Sequence, residues 1–146
     1  MLCLARWIPH RLVWRVSVVA SGVLAAVGVW IVAALLLNVD LTVRIFSARG
    51  GGLGAATRSV ALVDVIAVSS GAGLGGWAVL ACLEYLTRHA AAVWLAAALP
   101  AVILSLAGPF SATTAAALIW LSCMHLAVAA VLIPGLILEP GLVDAS

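Results

Sequence analysis

Residues 16–37, VSVVASGVLAAVGVWIVAALLL, run for 22 positions without an ionisable side chain. A helix rises about 1.5 Å per residue, so about 20 residues of this kind cross a hydrocarbon layer roughly 30 Å thick. Inside that layer a helix satisfies its peptide groups internally, which an open segment cannot do. The pattern recurs at 60–86, uncharged apart from Asp64 and Glu84 near its ends, at 91–107 with Pro100 near its middle, and at 113–133, stopped by Pro134-Gly135. Gly108-Pro109 makes a turn between the last two spans. Residues 1–146 therefore read as one all-α, four-span transmembrane domain, an integral membrane four-helix bundle with short loops and a Gly-rich loop between spans one and two. Composition agrees: 66% of residues are hydrophobic and 8% charged, against about 25% charged in soluble proteins. With a mean hydropathy of +1.32, the lipid bilayer is the expected partner, because so few charges cannot cover a water-facing surface.

Arg6, Arg11 and Arg15 precede the first run, whose apolar region is longer than the roughly 7–15 residues of a secretory signal, so it is read as retained. Four crossings put both termini on one side. The arginine cluster beside span one, with Arg88, outweighs Arg44, Arg49 and Arg58 in the outer loop, so a multi-pass protein of the cell membrane with both termini cytoplasmic is expected. Trp7 and Trp14 share one face of an interfacial helix that Pro9 limits. In the connection 38–58, DLTVRIF alternates as a short surface strand would, and RGGGLGAATR is expected to be flexible. Gly50, Gly52 and Ala55 fit G-x-G-x-x-A, but the loop is too short for the βαβ unit that gives this motif its phosphate-binding geometry. The tail carrying Glu139 and Asp144 reads as solvated.

All seven cations are arginine and they are scattered, so no nucleic-acid partner is expected. Cys3, Cys82 and Cys123 form no CxxC and stand at no metal-ligand spacing; no metal and no cofactor is expected. Cys82 and Cys123 read as small helix fillers, about 18 Å apart in depth and too far for a disulfide.

Ionisable residues within spans are costly and each needs a reason. Asp64 and Glu84 lie about 30 Å apart along one helix, so they cannot act as a carboxylate pair. Glu84 with Arg88, at i and i+4, is expected to be a structural ion pair. Asp64 and His125 are the candidate acid–base residues. Asp64 can alternatively hydrogen-bond Thr113 and Thr114, and His125 a carbonyl or Ser122. His125 lies about ten residues into span four, level with the small-residue stretch 69–76, where Gly71 and Gly75 make a GxxxG step implying close helix contact. Pro100 puts a kink at the same level. A pocket there would be lined by Trp77, Gly71, Gly75, Ser122 and Pro100. Trp30, Trp94 and Trp120 read as members of interfacial belts.

The stretches LLLNVDLTVR, GGWAVLACLEYLTR and LAGPFSATTAAALIWLSCMHLAVAAVLIPGL resemble a family of small four-span membrane proteins from actinobacteria, a domain of unknown function. The likeness covers roughly residues 30–137. It implies the topology and no chemistry.

Three functions fit these residues. One is a packing or assembly bundle, or one that binds a lipophilic small molecule. The second is a membrane-embedded acid–base enzyme, an isomerase or cyclase acting on such a molecule, and the third a transport or proton-handling protein. Four short helices offer limited volume for a closed pocket, so a homo-oligomer is a further expectation.

Overall fold

The computed structural model describes residues 2–49 and 52–138, with side chains described over 10–45 and 56–138. Among the described residues are four α-helices and a two-stranded hairpin. Helix α1 runs Leu2–Ile31 and continues into a π-helical turn over Val32–Leu36. Its backbone is helical through Pro9, so that proline does not delimit a separate interfacial helix. The helix ends at Asn38, which takes the left-handed conformation (φ 53°) that asparagine tolerates better than most residues. Val39 N–H then closes the end by donating to the Ala33 carbonyl at 2.9 Å.

Strands β1 (Thr42–Arg49) and β2 (Gly52–Ser59) pair antiparallel, from Thr42 opposite Ser59 to Arg49 opposite Gly52. From Gly52 onward the glycine-rich half of the connection is thus a strand and not a flexible loop: β1 supplies main-chain partners that its own side chains do not encode. Gly52 and Ala55 lie inside a hairpin strand and not at a strand-to-helix turn, and Gly50 lies outside the described residues. Helix α2 runs Leu62–Leu86, α3 Ala90–Ser105 and α4 Ala115–Ile137, with one 3-10 turn at Pro109–Ser111. The stretches long and apolar enough to cross a membrane are His10–Leu36, Leu62–Leu86, Ala90–Ser111 and Ala115–Ile137. Pro134 does not stop the last one; the helix continues a turn further, and Leu138 N–H donates to the Pro134 carbonyl.

Helix α1 packs against both α2 and α4, and α3 touches both from another side, whereas α2 and α4 meet each other little. Close approach of α1 depends on two glycines. A Cβ built on Gly73 would fall 2.8 Å from Val19 Cγ1, and one on Gly135 2.7 Å from Val18 Cγ1. Cross-links then fix the two ends. At the end carrying the termini, Trp14 Nε1–H donates to the Gly135 carbonyl at 2.9 Å, and Arg15 Nη2 meets Glu84 Oε1 at 2.5 Å. At the hairpin end, Trp30 Nε1–H donates to the Val60 carbonyl at 3.1 Å, and Thr113 N–H to the Thr42 carbonyl at 3.0 Å, with the two threonine hydroxyls also bonded. Trp7 and Cys3 lie outside the residues whose side chains are described, as do Glu139 and Asp144 of the tail.

The last two helices differ in length. With 16 residues α3 spans about 24 Å, while the 23 residues of α4 span about 35 Å. The connection 106–114 joins them and brings Gly108 beside α4, its Cβ position 4.0 Å from His125 Nε2.

Candidate ligand-binding cavity

The separation of α2 from α4 leaves a cavity of about 840 Å³ among α2, α3 and α4, open on one side and roofed by Val43, Arg58 and Val60 of the hairpin. On α2 it is lined from Asp64 to Val79, about 22 Å of helix at 1.5 Å per residue. Its walls are overwhelmingly apolar. The polar groups on them are few: Ser59 and the Arg58–Asp64 pair at the hairpin end, Ser69, Ser105 and His125 along the shaft, and Trp94 toward the termini end.

Gly71 and Gly75 form part of one wall, and a Cβ built on either would meet nothing within 4 Å. The GxxxG step therefore faces open space, and the expected close helix contact is made elsewhere. Gly73, on another face of α2, approaches α1, and Gly76 admits Trp94, whose Cη2 lies 3.0 Å from the Cβ position.

His125 sits where α4 passes the connection 106–114. Its Nδ1 lies 2.8 Å from the Leu121 carbonyl oxygen, so this nitrogen carries the proton and donates. In the neutral ring that leaves Nε2 as an acceptor. Nε2 lies 4.0 Å from where a Gly108 Cβ would be, and Gly108 itself lines the cavity. The missing side chain thus keeps room at the acceptor nitrogen.

Trp94 is 7% exposed, and its Nε1–H has no hydrogen-bond partner among the described residues. Leaving a buried donor unsatisfied costs about 1–3 kcal/mol. The indole ring packs near Gly76 and Leu136, both apolar.

Residues 7–139 match a family of unknown function, DUF6069. The chain belongs to that family. The match extends beyond the 30–137 of the resemblance, and the family description gives neither a source nor a number of crossings, so the four crossings of this DUF6069 chain rest on its helices. No curated protein and no solved structure matches it.

The residues singled out in the DUF6069 sequence separate into three groups. Asp64, Gly71, Gly75 and His125 line the cavity together. Asp64 is already engaged: Oδ2 accepts from Ala61 N–H at 3.0 Å, closing the start of α2, and Oδ1 meets Arg58 Nη2 at 2.5 Å. Thr113 and Thr114 do not reach it; Thr113 serves the hairpin, and Thr114 Oγ1 caps α4 by accepting from Ala117 N–H.

Trp77, Ser122 and Pro100 are not among the lining residues. Trp77 borders a separate hollow of about 400 Å³ between α1 and α2, Ser122 donates to its own helix at the Leu118 carbonyl, and Pro100 is exposed. Glu84 pairs with Arg15 and not with Arg88. Helix α2 ends at Leu86 and Thr87 is extended (φ −147°, ψ 146°), so no helical turn joins Glu84 to Arg88. Cys82 and Cys123 are free and exposed rather than packed as fillers. Among the described residues no three His, Cys, Asp or Glu side chains gather as metal ligands would.

Trp94 and Gly108 are the site residues the sequence did not disclose. Trp94 reads as an interfacial indole near a helix start, and only its insertion against Gly76 reveals a core position. Gly108 reads as a turn glycine.

Proposed function

We propose that this small membrane protein binds a lipophilic molecule in the cavity among α2, α3 and α4, reached sideways from the hydrocarbon layer. The observation that carries the reading is the uncovered Gly71–Gly75 face, which opens onto about 840 Å³ of mostly apolar space. That volume falls within the roughly 300–1,000 Å³ typical of small-molecule sites, which pair apolar walls with a few placed polar groups. His125 is such a group, and its Nε2 accepts a hydrogen bond from a hydroxyl of the bound molecule. Both termini face the cytoplasm in this reading, on the strength of Arg6 and Arg11 beside span one.

An acid–base enzyme draws less support, since the Asp64 carboxylate is held by Arg58 and Ala61 and His125 has no second titrating partner described beside it. A second copy of the chain laid on the GxxxG face is the competing occupant. It fits the unpartnered Trp94 indole poorly, because a packed apolar helix brings no free acceptor to it.

Photolabelling in nanodiscs tests the reading, using a long-chain alcohol that carries a diazirine. Labels are expected on cavity residues such as Val68, Val79 and Leu121, suppressed by excess unlabelled alcohol and by Gly75→Leu. Even labelling of the lipid-facing side chains of all four helices, without competition, would overturn it. Efficient Gly75→Cys disulfide dimers in the membrane would favour the second copy instead.

A further inference from the structure

Resting on that reading, we infer that the bound molecule enters with a carbonyl oxygen leading and places it on the Trp94 indole N–H. Three observations lead there. Trp94 forms part of the cavity wall, it is 7% exposed, and its Nε1–H finds no acceptor among the described residues. An indole N–H is a donor only, so the group that completes it is an acceptor. The surroundings select which acceptor. The residues Trp94 is clustered with, Leu80, Leu132, Ile133 and Leu136, offer no side-chain acceptor of their own, so a hydroxyl oxygen would bring a proton with nowhere to go. A ketone, aldehyde or quinone-type carbonyl accepts and brings no such proton.

The position of the group sets the shape of the molecule. Trp94 packs at the level of Leu136 and His125 lies eleven residues earlier on α4, about 16 Å along the shaft. On α3 the same interval separates Trp94 from Ser105, whose carbonyl oxygen lies 3.3 Å from the Gly108 Cβ position, beside His125. The ligand class is therefore a long apolar chain or polyene with a carbonyl at its deep end and hydrocarbon from there out to the hydroxyl at His125. Bulk near the deep end is limited by the closeness of Gly76 to the indole.

The test compares a long-chain methyl ketone with the n-alkane and the primary alcohol of equal length, each titrated into the full chain in nanodiscs. The 15N–1H signal of the Trp94 indole is followed alongside binding. The ketone is expected to bind about fivefold to tenfold more tightly than the alkane, as one neutral hydrogen bond allows, and to shift the Trp94 signal downfield. The alkane is expected to bind without that shift, the alcohol to bind more tightly than the alkane through His125 but also without the shift, and Trp94→Phe to bring ketone and alkane level while leaving the alcohol unchanged. Equal binding of ketone and alkane with the indole signal unmoved overturns the carbonyl assignment and leaves the cavity reading standing. Failure of all three to bind overturns the cavity reading itself. Should Trp94→Phe not fold, the wild-type shift and the ketone-to-alkane ratio decide alone.

Discussion

Arg15 Nη2 lies 2.5 Å from Glu84 Oε1, tying the first helix to the end of the second in a site where the arginine side chain is 8% exposed and the glutamate 21%. Arg15 follows Trp14 in sequence, and Trp14 reaches the Gly135 carbonyl, so two neighbouring residues of α1 hold α2 and α4 together. The contact closes the termini end of the bundle and leaves the gap between α2 and α4 further along.

Glu84→Ala is expected to destabilise the bundle by about 2–3 kcal/mol. This is below the roughly 3–5 kcal/mol for breaking a fully buried pair, because Glu84 retains some access to solvent. Arg88→Ala is expected to change stability by less than about 0.5 kcal/mol, as exposed substitutions usually do. Reversible unfolding in mixed micelles measures both, and equal effects would count against the assignment of the pair.

Two glycines inside helices should respond in opposite ways. Gly135→Ala would drive a methyl against Val18, whose branched side chain has little freedom to turn aside. A net loss of about 1–2 kcal/mol is expected, overpacking outweighing the gain in helix propensity. Gly71→Ala meets nothing and is expected to hold stability or raise it by up to about 1 kcal/mol. Unfolding midpoints of the two variants check the contrast.

Hydropathy alone reveals the four crossings, because each uncharged run has only one low-energy arrangement in lipid. The stripe carrying Gly71 and Gly75 is equally readable, since helical periodicity places them on one face. What periodicity cannot say is whether a neighbour covers that face, and here none does: α4 leans on α1 and away from α2. Trp94 and Gly108 are hidden for a related reason. Their roles depend on which residue of another helix each one meets, Gly76 for Trp94 and His125 for Gly108, and spacing within one helix does not report that. The second hairpin strand has almost no strand-forming side chains, and its order comes from β1. Glu84 and Arg88 illustrate the opposite error, a correct spacing applied beyond the end of a helix.

Asp64 is expected to behave as a structural residue of the hairpin end. Asp64→Ala removes the acceptor for Ala61 N–H and the partner of Arg58, with an expected loss of about 1–2 kcal/mol, typical of a helix-start acceptor. Arg58→Ala removes only the exposed half of the ion pair and should cost about 0.5 kcal/mol or less. Hydrogen exchange is expected to accelerate over the first turn of α2 in the aspartate variant and to stay unchanged in α3.

The hairpin lies at the opposite end of the bundle from Trp14 and Leu138. In cells, Thr57→Cys is expected to react with a membrane-impermeant maleimide added from outside, while Cys introduced at Leu138 reacts only after permeabilisation. The reverse pattern would invert the orientation, and labelling of both from one side would contradict the four crossings.

Native mass spectrometry of the protein extracted from its own membrane in mild detergent tests the central claim most directly. The cavity is expected to hold a co-purifying lipophilic mass in the wild type, to lose it in Gly75→Leu, and to retain it in Gly28→Leu, where an added Cβ meets nothing within 4 Å and Gly28 does not line the cavity. A wild type that carries no such mass, or a mass that survives Gly75→Leu in a folded protein, would contradict the claim.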